Sequence, residues 1–359
     1  MTHAQPLRAE TRVVASAPLE ILRKLKEHFV EHGSVDGTEE AWRVEFPIGS
    51  VSARLGDGDI AFNVEANDET SLTFLQWGVT EHVHEFMGAT PEIVWNGGVA
   101  AGKPLPYFRE MRVIAAHDVT PRMRRLTLSG ANLERFAQHG MHVRLLLAPE
   151  KGVVPVWPHM SPDGRQAWPE GPKPLSRIYT IRHIDVAAGE IDLDFVLHEG
   201  DDTPGASFAF DAQPGDVVGM TGPGGAELPQ ADWYLLAGDE TALPAIGRLL
   251  EEMPAGKKIV ALIEIADDGE RQDLSSQADL DLRWISRDGR PAGTTAVLQD
   301  AVTALPFPDD EQVFVWAGCE YHAFKALRTH LKQDRGLPRG SHNVSVFWRR
   351  GLAGEPTEK

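Results

Sequence analysis

The chain is short of cysteine, of positive charge and of long apolar runs. A single cysteine, Cys319, in 359 residues excludes an intramolecular disulfide and any zinc or iron–sulfur site built on several thiolates. Lys and Arg number 35 against 53 Asp and Glu, a formal net charge of −18. That balance excludes a general nucleic-acid binder and a protein that adheres to anionic membranes. It also repels an anionic substrate unless a local basic pocket overrides the field. No apolar run approaches the roughly 18 residues of a membrane span, and Met1-Thr-His-Ala-Gln-Pro-Leu-Arg8 has no apolar signal core. The expectation is a cytoplasmic protein, monomeric or weakly dimeric, with no nucleic-acid or membrane partner and no metal site. What is present is apolar content of 42%, enough for true cores, and a length that predicts two or three domains.

The first 96 residues read as a small α+β module. Arg8 to Val14 alternates as a strand, and Leu19, Leu22, Leu25 and Phe29 give Pro18 to Glu31 helical spacing. Trp42 to Phe46, Ser50 to Leu55 and Asp59 to Glu65 read as strands joined by glycine turns, and Thr70 to Phe86 as an amphipathic helix. The module holds 7 Lys and Arg against 16 Asp and Glu, half of the net charge in about a quarter of the chain. Its histidines, His28, His32, His82 and His84, read as scattered solvent-facing residues. Residues 97–106, rich in Gly and Pro, read as a linker. Six short strands follow within 107–228, with turn signals between them, and predict a closed antiparallel barrel. The Pro- and Trp-rich stretch 148–173 reads as a long loop over an opening. From 229 to 359 the period changes to strand–helix alternation with continuous apolar strands, which predicts an open α/β sheet covered on both faces.

The most informative segment is Pro174-Leu-Ser-Arg177-Ile-Tyr179-Thr180-Ile-Arg182. On a strand, Arg177 and Tyr179 share one face and Thr180 takes the other, its backbone groups free at an edge. A guanidinium suits a phosphate, an aromatic ring suits a flat flavin, and a hydroxyl suits the flavin's hydride-exchanging nitrogen N5. Downstream, Ala206 and Ser207 lie in a small-residue run whose amides can approach a pyrophosphate. Leu235-Leu-Ala-Gly238-Asp239-Glu240-Thr241-Ala242-Leu-Pro244 ends an apolar strand, with Thr241 as a potential helix N-cap, where a nicotinamide dinucleotide can lie outside the strand's carboxyl end. Trp316-Ala-Gly318-Cys319-Glu320 repeats the pattern, with Cys319 read as packing or cofactor contact. Phe347-Trp348-Arg349-Arg350 joins aromatics to two cations.

In this order, these stretches resemble the siderophore-interacting protein family of flavin-dependent ferric-siderophore reductases, over about residues 107 to 353. The resemblance implies a ferredoxin-reductase-like layout, an FAD-binding β-barrel followed by an NAD(P)H-binding α/β domain. The N-terminal module looks like a small uncharacterised domain known as a fusion partner of that family. Residue by residue, Arg177 would bind FAD phosphate, Tyr179 would stack on the isoalloxazine and Thr180 would lie near N5. Arg182, Asp194, Val196 and His198 would line the FAD site, and Ala206 and Ser207 would hold the pyrophosphate. Gly238 to Ala242, with Trp316, Ala317, Gly318 and Glu320, would face NADPH or NADH, and Trp348 would reach the flavin. The chain departs from the family's pattern after the Ala-Ser pair, where Phe208 and Phe210 stand in place of a tryptophan.

The implied reaction passes hydride from NAD(P)H to FAD and then single electrons to a ferric siderophore, with no acid–base residue required. Hard oxygen ligands hold Fe(III) far better than Fe(II), so reduction releases the iron. A basic lip for an anionic ferric complex is expected from Lys173, Arg287, Arg290, Arg349 and Arg350. Two rival readings stay open: a flavin reductase with another protein or small-molecule acceptor, and a non-enzymatic flavin-based redox or iron sensor acting through the N-terminal module. Arg271 or Arg287 can serve a 2′-phosphate, without deciding between NADPH and NADH.

Overall fold

A computed structural model describes residues 5–138, 140–197, 203–225 and 227–352. The chain divides into two compact units: 1–108 with 152–173, and 109–151 with 174–359.

In the first unit, β1 (Leu7–Val14), β2 (Ser34–Gly37), β3 (Ala41–Phe46), β4 (Gly49–Leu55), β5 (Asp59–Ala66) and β6 (Asn96–Gly97) form one six-stranded sheet in the order β2-β3-β4-β5-β1-β6. The helices α1 (Pro18–Phe29) and α2 (Glu69–Met87) bury Leu22, Leu25, Leu72 and Val79 against Trp42, Val44, Phe62 and Val64. Alternation along β5 is strict: Ile60, Phe62, Val64 and Ala66 are buried and their neighbours are not. Asp68 caps α2 by accepting from the amides of Thr70 and Ser71. The histidines are not scattered as expected. His28 lies 4.1 Å from His82 and 4.8 Å from His32 between ring centroids, because the last turn of α1 crosses α2 there. Burial and the two neighbouring imidazoles lower the His28 pKa. Among the described residues no group of His, Cys, Asp and Glu is arranged to hold a metal ion.

The stretch 152–173 is a correction. Rather than a loop over an opening, it belongs to the first unit and carries a two-strand ladder, β10 (His159–Met160) with β11 (Gln166–Ala167). The Trp95 amide donates to the Pro162 carbonyl, the Thr80 hydroxyl to that of Asp163 and the Gly102 amide to that of Met160. Residues 97–106 are mostly exposed, and Leu105, 1% exposed, is the one buried residue among them.

The second unit contains a closed barrel and a parallel sheet. The barrel runs β12-β13-β8-β7-β14-β9, from β7 (Phe108–Thr120), β8 (Met123–Ser129), β9 (His142–Leu147), β12 (Leu175–Asp185), β13 (Glu190–Val196) and β14 (Val217–Gly224). Val143, Leu145, Leu147, Ile181, Leu193 and Phe195 fill it. One short helix, α3 (Pro204–Asp211), follows β13. The parallel sheet has the order β17-β16-β15-β18-β19, from β15 (Trp233–Gly238), β16 (Lys258–Ile265), β17 (Asp279–Ser286), β18 (Val313–Glu320) and β19 (His342–Trp348). The helix α4 (Leu243–Glu252) covers one face, and α5 (Val297–Ala304) with α6 (Tyr321–Thr329) the other. Strands buried on both faces read as the continuous apolar runs found in the sequence.

Barrel and sheet are joined by buried polar contacts. Arg182, 9% exposed, is bidentate to Glu251 of α4, Arg248 of α4 donates to the Ile181 carbonyl, and the Thr120 hydroxyl donates to Glu270 at 2.5 Å.

Candidate functional site

The geometry of β12 sets the barrel side of the site. Its first half pairs with β9, from Leu175 opposite Leu147 to Thr180 opposite His142. Its second half pairs with β13 only from Ile181 opposite Leu193 onward. Beyond that point Asp194, Phe195 and Val196 pair with β8 alone. Among the described residues, therefore, Leu175 to Thr180 carry a strand partner on one side only. Thr180 has the free edge expected of it, but on the side away from His142.

Three features adjoin this edge. Arg177 is half-buried, donates to the Ser176 carbonyl at 2.7 Å, and has no carboxylate partner among the described residues. The Tyr179 ring lies 4.2 Å from that of Phe195, and burial raises its phenol pKa. Its hydroxyl reaches the first turn of α3: a Cβ on Gly205 would sit 1.8 Å from it, so only glycine fits there. The helix α3 starts with Thr203 as N-cap and Pro204, and its next amides, those of Gly205 and Ala206, are first-turn donors without intrahelical acceptors. Ala206 is buried and Ser207 exposed. An unpaired guanidinium, an aromatic ring and a helix N-terminus of small residues meet the needs of a flavin dinucleotide: phosphate charge, ring surface and close backbone approach.

Two other expected FAD contacts have charged partners within the protein. The charge of Arg182 goes to Glu251, and Asp194, 5% exposed, spends both oxygens on Arg125 at 2.6 and 2.8 Å. These two residues tie the barrel together and to α4, because a buried charge needs a partner. Val196 packs against the core that the barrel shares with the parallel sheet. His198 lies outside the described residues. Phe208 packs near Phe195, while Phe210 is 71% exposed.

On the sheet side, the carboxyl ends of β15, β18 and β19 converge. A Cβ on Gly238 would meet the Gly318 carbonyl oxygen at 2.7 Å, and one on Gly318 would meet the Phe347 ring at 2.5 Å, so both positions require glycine. Asp239, 4% exposed, accepts from the Thr241 amide, the Glu320 amide and the Trp348 indole N–H, the last at 2.8 Å. Burial and the neighbouring Glu240 raise its pKa to about 6. Thr241 is not the N-cap: α4 begins at Leu243 with Ala242 as its N-cap and no side-chain cap, and the Thr241 hydroxyl donates to Asp239. Glu320 accepts from the amides of His322 and Arg350. Trp316 and Ala317 point to opposite faces of the sheet, into its two cores, and Ala242 is fully buried. Burial pushes the Cys319 thiol well up and leaves it inert, a packing residue.

Of the basic lip, Arg287 is corrected. It is 2% exposed and bonds Glu240 at 2.5 Å and Glu264 at 3.2 Å, in a buried triad at the strand ends. Arg271 is paired to Asp268 at 2.8 Å. Arg290 and Arg350 are exposed, and Arg349 lies over the Tyr321 ring at 4.4 Å. Lys173 is exposed and belongs to the first unit. The sequence reading passed over Arg125, Glu251 and Glu264, whose partners are distant in the chain, and His142, whose place is given only by strand register.

Residues 112–227 match the siderophore-interacting FAD-binding domain, 231–351 the siderophore-interacting protein model, and 10–96 an uncharacterised protein domain conserved in bacteria. The chain is 32% identical over 250 residues to the ferric vibriobactin reductase ViuB of Vibrio cholerae, covering 68% of this chain and 90% of that protein. It is 28% identical to the NADPH-dependent ferric-chelate reductase of Escherichia coli, covering 67% and 92%. A crystal structure of a siderophore utilization protein from T. fusca superposes with a TM-score of 0.60 at 35% identity, covering 69% of this chain and 95% of that one. The chain belongs to the siderophore-interacting protein family and is a flavin-dependent ferric reductase.

Proposed function

We propose that the protein takes reducing equivalents from NADPH through FAD to a ferric siderophore and releases the iron as Fe(II) in the cytoplasm. The observation that carries this reading is the one-sided edge of β12, beside which Arg177, Tyr179 and the first turn of α3 bring together the groups a flavin dinucleotide needs. FAD supplies the conversion of a two-electron hydride donor into single electrons. The chain's own residues do the rest. Arg177 and the amides of Gly205 and Ala206 bind phosphate, Tyr179 and Phe195 form an aromatic wall, and Thr180 presents a hydroxyl toward N5.

At the strand ends, where a nicotinamide would lie, Gly238 and Gly318 let β15, β18 and β19 pack closely, and Asp239 holds Trp348 in place by accepting from its indole N–H. The name of the E. coli relative supports NADPH as donor. Arg290, Arg349 and Arg350 supply the cationic lip for an anionic ferric complex; with Arg287 neutralised inside, the lip is smaller than the sequence suggests.

The test is anaerobic absorbance of the purified protein with NADPH and then a ferric siderophore added. The flavin bands should bleach with NADPH and recover as ferrous iron appears in a chelator assay. Bleaching without recovery would leave a flavoenzyme with another acceptor. A protein that takes up no FAD would overturn the whole reading.

A further inference from the structure

His142 sits where the proposed chemistry needs a proton acceptor that no residue discussed so far provides. It stands opposite Thr180 across the β9–β12 ladder, and directly paired residues of antiparallel strands project to the same face of the sheet. On that face it is bounded by Gly224 and Gly225 of the β14 end and by the edge of Phe347 from β19, at 6.0 Å between centroids. Val143, Leu145 and Leu147 point into the barrel, so the alternation of β9 sends His142 outward with Thr180. Its Nε2 is buried and has no hydrogen-bond partner among the described residues. His84 Nε2 and His342 Nδ1 are also without partners, and of these three histidines His142 is the one paired across a ladder with Thr180. Among the described residues no carboxylate or guanidinium is placed to charge the ring, and burial lowers its pKa, which favours a neutral imidazole at neutral pH.

Two ferric ions take two electrons from the reduced flavin, and the proton on N5 must leave as they do. We propose that His142 takes that proton through Thr180: the Thr180 hydroxyl, which makes no hydrogen bond to Nε2 in this structure, would turn to it when the flavin is bound, accept the proton of N5 and pass its own to His142. Thr180 ends unchanged, His142 ends as imidazolium, and the proton then goes to water from the partly exposed ring. The flavin is oxidised, two ferric ions are reduced, and charge and protons balance. His142 acts through Thr180 and does not itself touch the reacting ring. This inference rests on the reading of Thr180 as the neighbour of N5.

The experiment uses the full chain loaded with FAD and reduced by light rather than by a nicotinamide, then mixed with ferric EDTA in a stopped flow between pH 5 and pH 8. Reoxidation of the wild type should slow as the pH falls through the His142 titration, because an imidazolium cannot accept. H142Q keeps a polar side chain without the titration, and T180V keeps the imidazole without the hydroxyl. Each should reoxidise about 10²-fold more slowly, at the low end of what a positioned acid–base group contributes, and lose the inflection. The double variant should be no slower than either single one. Nitrogen NMR of the protein without FAD gives an independent readout: His142 should titrate below the ordinary histidine range, and both FAD and T180V should shift its Nε2 signal. An H142Q protein that reoxidises with the wild-type rate and pH profile overturns the inference, as does an Nε2 signal indifferent to FAD and to T180V. Absence of bound flavin overturns this reading and the proposed function together; bound flavin whose reoxidation ignores His142 overturns this one alone.

Discussion

Replacing Arg287 by alanine separates an interior role from a place on the substrate lip. The guanidinium bonds Glu240 at 2.5 Å and Glu264 at 3.2 Å, with the three side chains 3, 9 and 7% exposed. Deleting it leaves two buried carboxyls facing one another beside Asp239. Removing one member of a buried ion pair costs about 3–5 kcal/mol, because the remaining charge keeps its desolvation penalty and loses its partner. The α/β half spans roughly 120 residues. At ~2.1 cal/mol/K per residue its unfolding entropy is ~0.25 kcal/mol/K, so melting should fall by on the order of 10–20 °C, or about half that if barrel and sheet unfold together. The loss should depend on pH. Burial already raises Glu264 to about 7 and Asp239 to about 6, above their values in an unfolded chain. Between those limits the folded protein binds more protons than the unfolded one, so the stability these groups contribute is present at low pH and is lost as the pH rises to about 7. The wild type should therefore melt lower at pH 8 than at pH 5 as far as these groups are concerned. R287A should widen that gap, because protonated carboxyls no longer need the cation. Calorimetry of both proteins at pH 5, 6, 7 and 8 measures it. R287A melting like the wild type at pH 8, with only its KM for a ferric catecholate changed, would refute the burial argument and return Arg287 to the lip.

Three further outcomes follow from the same geometry. Arg177→Ala should weaken FAD binding by about 10- to 100-fold, read by flavin fluorescence, since a hydrogen bond to a charged group contributes about 1.5–3 kcal/mol; an unchanged Kd would remove Arg177 from the phosphate site. Deleting residues 1–96 should expose the segment 152–173, whose contacts run to Thr80, Glu81 and Trp95, so that trypsin cuts after Arg165 much faster than in the full chain; equal cutting rates would show that this segment holds itself together. Melting of the N-terminal module should fall between pH 7 and pH 5, because the folded pKa of His28 is below its unfolded value and the stability it contributes is lost as the pH falls. His28→Phe should flatten that dependence, and an undiminished slope would place the sensitivity elsewhere.

Much of this architecture was legible because local patterns and tertiary packing agree. The change from short strands between turns to continuous apolar strands between helices marks the passage from barrel to parallel sheet. In the module, the helix expected over Thr70 to Phe86 is observed over Glu69–Met87. The Arg177-x-Tyr179-Thr180 run was legible because a strand's two-residue period places side chains without knowledge of partners. What failed needed partners. Ser286-Arg287-Asp288-Gly289-Arg290 reads as an exposed turn, yet Glu264 and Glu240, 23 and 47 positions back, draw Arg287 inside. Arg182 and Asp194 lie on strands beside the expected flavin edge, but their charges are claimed by Glu251 and Arg125. The stretch 152–173 has the composition of a loop, and only its hydrogen bonds to the first unit show where it belongs. His142 in a strand reads as one polar residue among apolar ones until the register puts it opposite Thr180.

The acidic sequence at the strand ends, where a polyanionic dinucleotide would bind, is less acidic than it reads. Asp239, Glu240, Glu264 and Glu320 are all buried there, and Arg287 pairs with Glu240 and Glu264. Glu240 is balanced by Arg287, and Glu320 is occupied with the amides of His322 and Arg350. Burial raises the pKa of Glu264 to about 7 and that of Asp239 to about 6, so both hold protons at pH values where exposed carboxyls have lost them. The repulsion that a formal charge of −18 implies is therefore relieved from within, by ion pairing, amide capping and retained protons. Few exposed arginines are then needed to turn the local field positive. On this argument the anionic substrate's KM should respond more to Arg290 and Arg350 at the rim than to the number of carboxylates beneath them, and it should rise with pH as Asp239 and Glu264 give up their protons.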